Sequence, residues 1–379
     1  MTNSTIQSFD LKRNYARVRG EIADAIQRVL DSQSFILGAE VQSFESDIQR
    51  YLEVDTAVGC ASGSDALLLA LMALGVGKGD EVITTPFSFF ATASCITRVG
   101  ATPVFVDVEE DGYNLRSDQI LEKITHKTKA VLPVHLFGQM CRLEEVLPQL
   151  QEKGIATVED CAQAFAAHRI VDGVIHRAGT WGDVGCFSFF PTKNLGGYGD
   201  GGMITTNNAD TAHRLKSLRV HGSSQTYFHD EVGLNSRLDA LQAAILAVRL
   251  RHIEEWTEER RQIAARYALL FGEKGLLDRI HIPLEMEGNR HTYHQYVARF
   301  EKRDELKAYL DIKNVVTRVY YPLCLHQQPC FSYLGGKEGD CPVAERLTRE
   351  VLALPMYPEL QEDEQVRVVE AIVDFYAAH

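Results

Sequence analysis

A chain of 379 residues with 45% hydrophobic content has the length for one large domain and a smaller companion and can fill a substantial core, which excludes a disordered segment. With 39 basic against 52 acidic residues, its formal charge of −13 argues against binding to a nucleic-acid backbone. The opening Met1–Ser8 has no basic stretch followed by an apolar core, and the most apolar run, Ala66–Val76, is too short to span a bilayer. Neither secretion nor a membrane partner is expected, and the cytoplasm is the expected compartment.

Helical periodicity comes first, at Ile22, Ala25, Ile26, Val29 and Leu30. The small polar turn Cys60–Ser64 then feeds directly into the apolar helix pattern Asp65–Leu71. Strand-like runs at Glu81–Thr85, Pro103–Val108, Ala130–Leu136, Ile155–Asp160, Val184–Phe190 and Gly202–Thr206 alternate with helical patterns, which predicts an α/β layer structure. A helix is expected over Leu238–Ile253, with Leu241, Ala244, Ile245 and Val248 on one face, linking two domains. After residue 254 a charged helix, Glu258–Leu270, leads to Tyr293–Phe300 and Asn314–Tyr320, expected as strands of a small α+β domain. The eight cysteines are expected as reduced thiols; Cys324, Cys330 and Cys341 lack paired metal-ligand spacing, so no metal is expected. His135 and His294 are expected to serve packing or hydrogen bonding.

The chemistry gathers around Lys193, which lies between the apolar run Cys186–Phe190 and the glycine-rich turn Gly196–Gly202. A lysine amine becomes a useful nucleophile when apolar surroundings depress its pKa, and Phe187, Phe189 and Phe190 are placed to supply them. An ordinary surface lysine before a turn is the competing reading. Asp160 ends a short β-rich run; a carboxylate there suits the ring nitrogen of pyridoxal 5'-phosphate (PLP), although aspartate also caps helices. Gln163 is placed to bond the ring hydroxyl. The turn at Ser62, Gly63 and Ser64 offers free N–H groups and a helix dipole to a phosphate, unless the serines merely cap the helix. Ser188 could donate to that phosphate, and Phe89 could stack on the ring or belong to the core.

The order of these pieces resembles the DegT/DnrJ/EryC1/StrS family of fold-type I aminotransferases acting on nucleotide-linked keto-sugars. The likeness covers nearly the whole chain. It includes Phe9–Lys12, Phe35–Val41, Asp80–Pro86, Pro133–Gln139, Gly233–Ala244 and Tyr321-Pro322. The resemblance implies a large αβα sandwich domain with a mixed, mostly parallel sheet over residues 1–254, holding PLP, and a smaller C-terminal α+β domain over 255–379. It implies that Lys193 forms the Schiff base, Asp160 pairs with the pyridinium, Gln163 meets the ring hydroxyl and Phe89 stacks. Gly63, Ser64 and Ser188 would bind the phosphate, with Asn235 arriving from the neighbouring subunit of a homodimer. Arg237, Tyr321 and His326 would meet the substrate. Many relatives have His-Tyr-Pro where this chain has Tyr320-Tyr321-Pro322, which leaves nucleotide contacts around Tyr320, Tyr321 and His326 open. The implied reaction moves nitrogen from L-glutamate to a nucleotide-linked keto-sugar. A UDP-3-keto N-acetyl sugar is favoured, for surface-polysaccharide or lipopolysaccharide amino-sugar synthesis, over a dTDP- or UDP-linked 4-keto-6-deoxy sugar.

Two rivals belong to other classes. Gly197–Gly202 satisfies the letter of a dinucleotide-binding glycine pattern, but it precedes a strand-like run rather than opening a helix, so a nicotinamide oxidoreductase is rejected. A non-catalytic sugar-nucleotide binder or regulatory subunit is disfavoured by the presence of both Lys193 and Asp160.

Overall fold

The computed structural model describes residues 4–225 and 227–378, so Met1, Thr2 and Asn3 of the opening stretch lie outside the described residues. In chain order, helices α1 (Leu11–Ser32) and α2 (Ala39–Leu52) precede strand β1 (Thr56–Cys60) and helix α3 (Gly63–Ala73). Then come β2 (Glu81–Thr84), α4 (Ala91–Arg98), β3 (Thr102–Phe105), β4 (Thr128–Leu132), α5 (Leu147–Glu152) and β5 (Ala156–Asp160). A hairpin, β6 (His168–Val171) and β7 (Val174–Arg177), separates these from β8 (Val184–Ser188), β9 (Gly202–Thr206) and α6 (Ala209–Leu218). The remainder comprises β10 (Ser223–Gln225), β11 (Phe228–His229), α7 (Ala240–Leu250), α8 (Ile253–Glu273), β12 (Ile280–His281), β13 (Asn289–Arg290), β14 (Tyr296–Phe300), α9 (Arg303–Ile312), α10 (Pro342–Glu350), β15 (Val351–Leu354) and α11 (Glu362–Ala378).

Strands buried on both faces need helices on both sides, and the central sheet obeys that rule. Seven strands run in the order β1-β9-β8-β5-β4-β2-β3. The five from β8 to β3 are parallel; β9 runs antiparallel to both β8 and β1. One face packs α3, α4 and α6 through Leu67, Leu69, Ile96 and Leu215, and the other packs α1, α2 and α7 through Val29, Phe44 and Leu246. This is the αβα sandwich with a mixed, mostly parallel sheet. A separate core joins α8, α9 and α11 to the sheet β12-β14-β15 through Tyr267, Leu306, Phe375 and Tyr296.

Three local expectations need revision. Asn314–Tyr320 forms no strand: Val315 makes a single bridge to Ile6 and Arg318 one to Ala353. The run Leu238–Ile253 is not one helix, because Arg251 and His252 separate α7 from α8, and the division at 254/255 falls just inside α8. Ile6, counted with the large domain, is fully buried in the C-terminal core, where its backbone bonds Asn314 and Val316.

Candidate active site

Parallel strands present their carboxyl ends along one edge, and that edge is where ligands meet such sheets. Here β5 ends at Asp160 and its neighbour β8 at Ser188, with Asp160 in register with Cys186. β1 ends on the same edge and turns through Ser62 into α3. Together they bound a cavity of about 400 Å³ that also contains Lys193 and Gln163.

Lys193 sits in the turn after β8. Burial pushes its amine down from 10.5 to about 8, with Asp160 opposing the shift. Among the described residues the amine has no hydrogen-bond or ion-pair partner, which fits a group kept for a ligand. The three phenylalanines divide between two surroundings. Strand alternation sends Phe187 and Phe189 into the core against Phe165 and Phe44, so only Phe190 of the three lines the cavity.

Asp160 is 4% exposed, and both its oxygens are bonded: Oδ1 accepts from the Ala162 N–H at 3.1 Å and Oδ2 from Thr92 Oγ1 at 2.9 Å. Ser88 Oγ lies 2.9 Å from Thr92 Oγ1 and steadies it. Burial pushes the carboxyl up, while these bonds and Lys193 pull it back. Gln163 is oriented by the backbone: its Oε1 accepts from the Phe137 N–H at 2.8 Å, which leaves Nε2 to donate, here to the Tyr321 hydroxyl at 2.9 Å. A donor edge facing the cavity suits an anionic ring oxygen.

The first turn of α3 is built for an anion. Ser62 is the N-cap, accepting from the Asp65 N–H at 3.1 Å, so one serine caps while the N–H groups of Gly63 and Ser64 remain unpartnered. A Cβ at Gly63 would lie 2.5 Å from Ser188 Cβ, so glycine keeps open the notch between the helix end and β8. These features fit the phosphate of PLP. Phe89, 59% exposed, lines the cavity rather than the core.

Tyr321 and Tyr320 line the cavity, but His326 does not. It is 4% exposed and turned to Glu345, with Nε2 and Oε1 3.0 Å apart, because Glu345 also caps the Gly339–Cys341 turn. Asn235 is exposed and Arg237 part-exposed, and neither lines this cavity. Between them, buried Ser236 donates to Asp65 Oδ2 at 2.7 Å and anchors their loop to the first turn of α3. Sequence reasoning overlooked Thr92 and the placement of His294 in the cavity wall.

His135, Glu159 and Cys161 cluster closely beside the site. His135 has no free nitrogen for a metal: Nδ1 accepts from the Cys141 N–H at 3.0 Å and Nε2 faces Glu159 at 2.7 Å. Glu159 in turn accepts from the N–H groups of Gly179, Trp181 and Gly182. The histidine thus serves hydrogen bonding, as its sequence context suggested. No helix among the described residues is long and apolar enough to cross a membrane.

Comparison with known proteins agrees with this geometry. A pleiotropic regulatory protein of Geobacillus stearothermophilus is 47% identical over 371 residues, covering 98% of each chain. The UDP-N-acetyl-3-dehydro-alpha-D-glucosamine 3-aminotransferase of Acidithiobacillus ferrooxidans is 43% identical over 371 residues, again 98% of each chain. The crystal structure of S. venezuelae DesV superposes with a TM-score of 0.93 at 39% identity, covering 98% of both chains. Residues 17–373 match the model of the DegT/DnrJ/EryC1/StrS aminotransferase family, and the chain belongs to that family.

Proposed function

We propose that this sugar aminotransferase moves an amino group from L-glutamate to C3 of a UDP-linked 3-keto N-acetyl sugar, in the cytoplasm, for surface-polysaccharide or lipopolysaccharide amino-sugar synthesis. The family's cofactor is PLP. The observation that carries the reading is the meeting of Lys193 and Asp160 in one cavity beside the free N–H groups of α3. The preference for a 3-keto UDP sugar rests on the Acidithiobacillus relative and on a Pseudomonas aeruginosa relative, 39% identical, named as a UDP-2-acetamido-2-deoxy-3-oxo-D-glucuronate aminotransferase. Eight free cysteines, seven of them buried, favour a reducing compartment.

When bound, PLP supplies an electron sink for the pair left as a proton departs the amino-bearing carbon. The chain supplies the rest. Lys193, with its amine depressed to about 8, is available as nucleophile and then carries that proton as base and acid. Asp160, fixed by Thr92 and Ala162, would hold the ring nitrogen's proton. Gln163 would donate to the ring oxygen, Phe89 would cover a ring face, and Gly63, Ser64 and Ser188 would bind the phosphate.

Among the described residues lining the cavity, Lys193 is the sole cation, yet a nucleotide diphosphate and a dicarboxylate donor both need positive partners. That shortage, with Asn235 and Arg237 outside the lining of their own cavity, supports a homodimer in which each chain completes the other's site.

The test is product NMR after incubation with glutamate and a panel of UDP- and dTDP-linked keto-sugars. Amination at C3 of the UDP sugar is expected. Amination only at C4 would move the assignment to a 4-keto-6-deoxy sugar. Sugar binding without turnover would favour the non-catalytic reading to which the name of the Geobacillus relative lends weight.

A further inference from the structure

A line of hydrogen bonds runs from the cavity wall to the end of β5. Thr92 Oγ1 donates to Asp160 Oδ2 at 2.9 Å, and Ser88 Oγ lies 2.9 Å from Thr92 Oγ1. A threonine hydroxyl has one proton, and a carboxylate only accepts. Thr92 has therefore committed its proton to Asp160, and the bond between the two hydroxyls is donated by Ser88. The direction of the line is fixed: Ser88 to Thr92 to Asp160. Bonds in such a line polarise one another, so the outer donor strengthens the inner one. All three side chains are buried, and of the two hydroxyl residues only Ser88 lines the cavity.

The same bond closes the turn that carries Phe89. Thr92 lies in the first turn of α4, whose N-cap residue, Phe90, supplies no side-chain cap. The Thr92 N–H donates to the Phe89 carbonyl at 3.2 Å, and the Ser88 to Thr92 bond spans that turn through side chains. On the strand side, the Phe87 N–H donates to Thr85 Oγ1 at 3.2 Å. Asp160, at the far end of the line, is under opposed influences. Burial pushes its carboxyl up, whereas the Ala162 N–H, Thr92, Lys193 and His135 draw it down. The Tyr321 hydroxyl and the thiols of Cys95, Cys161 and Cys186 also feel its charge.

We propose that Ser88 is a positioning residue for Asp160, acting through Thr92: it orients the Thr92 proton onto Oδ2, so that the carboxylate meets the cofactor's ring nitrogen as an anion in one fixed setting. The proposal rests on Asp160 being the ring-nitrogen partner. A buried carboxylate deprived of this support competes for the proton that it should leave on the ring. Without Ser88, Thr92 keeps its proton but loses both the polarisation and the lock on its rotor.

Two measurements test this. In cofactor-free protein labelled with ¹³C-aspartate, with Asp160→Asn for assignment, Ser88→Ala should raise the midpoint of the Asp160 carboxyl by about half a pH unit or more. In a Thr92→Val background the same substitution should add nothing, because the link is already cut. An unmoved midpoint, or equal increments in the two backgrounds, overturns the proposal. In enzyme reconstituted with ¹⁵N-labelled PLP, Ser88→Ala should move the ring-nitrogen signal toward its unprotonated position and lower kcat about 2- to 10-fold. An unmoved signal overturns it as well. Should the alanine variant fail to fold, Ser88→Cys, with its weaker donor, replaces it under the same criteria. A failure of the underlying reading looks different, because Asp160→Asn would then leave the ring-nitrogen signal and turnover unaltered.

Discussion

At Asp160 a buried carboxylate has a donor on each oxygen, and removing one donor tests how much the pair matters. Thr92→Val keeps the side-chain shape but leaves Oδ2 without its hydroxyl partner. A lost charge-assisted bond costs about 1.5–3 kcal/mol, so a roughly tenfold or larger weakening of PLP affinity or of kcat is expected, with thermal stability less affected. Asp160→Asn should lose more, because an amide cannot balance a pyridinium; kinetics of the two variants side by side will rank them. Lys193→Ala should lose both turnover and the borohydride-fixable cofactor, and Lys193→Arg should restore neither, since a guanidinium stays protonated. The lysine also carries a pH signature. Its folded pKa of about 8 lies below the ordinary 10.5, so between those values the unfolded chain binds more protons and this residue's contribution to apoprotein stability rises with pH. Denaturant midpoints of apoprotein and of Lys193→Met across that window should differ in slope, the lysine form gaining stability relative to the methionine variant as pH rises, against a background that the buried thiols give both. Lys193, Asp160, Gln163 and the Gly63–Ser64 turn were legible because each stands in a local pattern with a chemical reason. Thr92 and His294 were not, since their bonds to Asp160 and Asn194 span 68 and 100 residues.

The first turn of α3 works as an anion site only while Gly63 leaves the notch beside Ser188 open. Alanine normally favours a helix over glycine by about 1 kcal/mol, so Gly63→Ala should leave helix content intact or improved. The same substitution should weaken PLP binding at least about tenfold, because the methyl forces α3 and β8 apart by a good part of an ångström and the amide geometry goes with it. Absorbance titration beside circular dichroism separates the two effects, and unchanged affinity would remove Gly63 from the phosphate site. Other elements show where local pattern stops being informative. β2, β5 and β9 matched their apolar runs closely, because central strands are buried on both faces. The β-branched run Asn314–Tyr320 has the same propensity, but it meets Ile6 and Ala353 one residue at a time and finds no continuous edge to pair with. Between α7 and α8 the helical period continues past residue 250 with no glycine or proline, so nothing local marked the break at Arg251 and His252.

For the whole molecule, the decisive experiment is complementation. If Asn235 and Arg237 serve the neighbouring chain, Lys193→Ala mixed with Asn235→Ala should form heterodimers with one competent site, and activity should reappear where each variant alone is inactive. No recovery after subunit exchange verified by mass spectrometry would argue that Asn235 acts within its own chain. The layered architecture was legible from the alternation of strand and helix patterns, whereas the seat of Ile6 in the C-terminal core was not, because its partners lie more than 300 residues away. One turn ties these scales together. The Phe137 N–H sets the height of Gln163, and the Gly138 carbonyl, one residue on, sets the height of the segment that carries His294. Gly138 therefore acts as a gauge block between two walls of the cavity. A single methyl group there would collide with Thr292 Oγ1 and widen the gap between them without altering any residue that faces the ligand, so the calibre of the site is governed from a position no inventory of contacts would include.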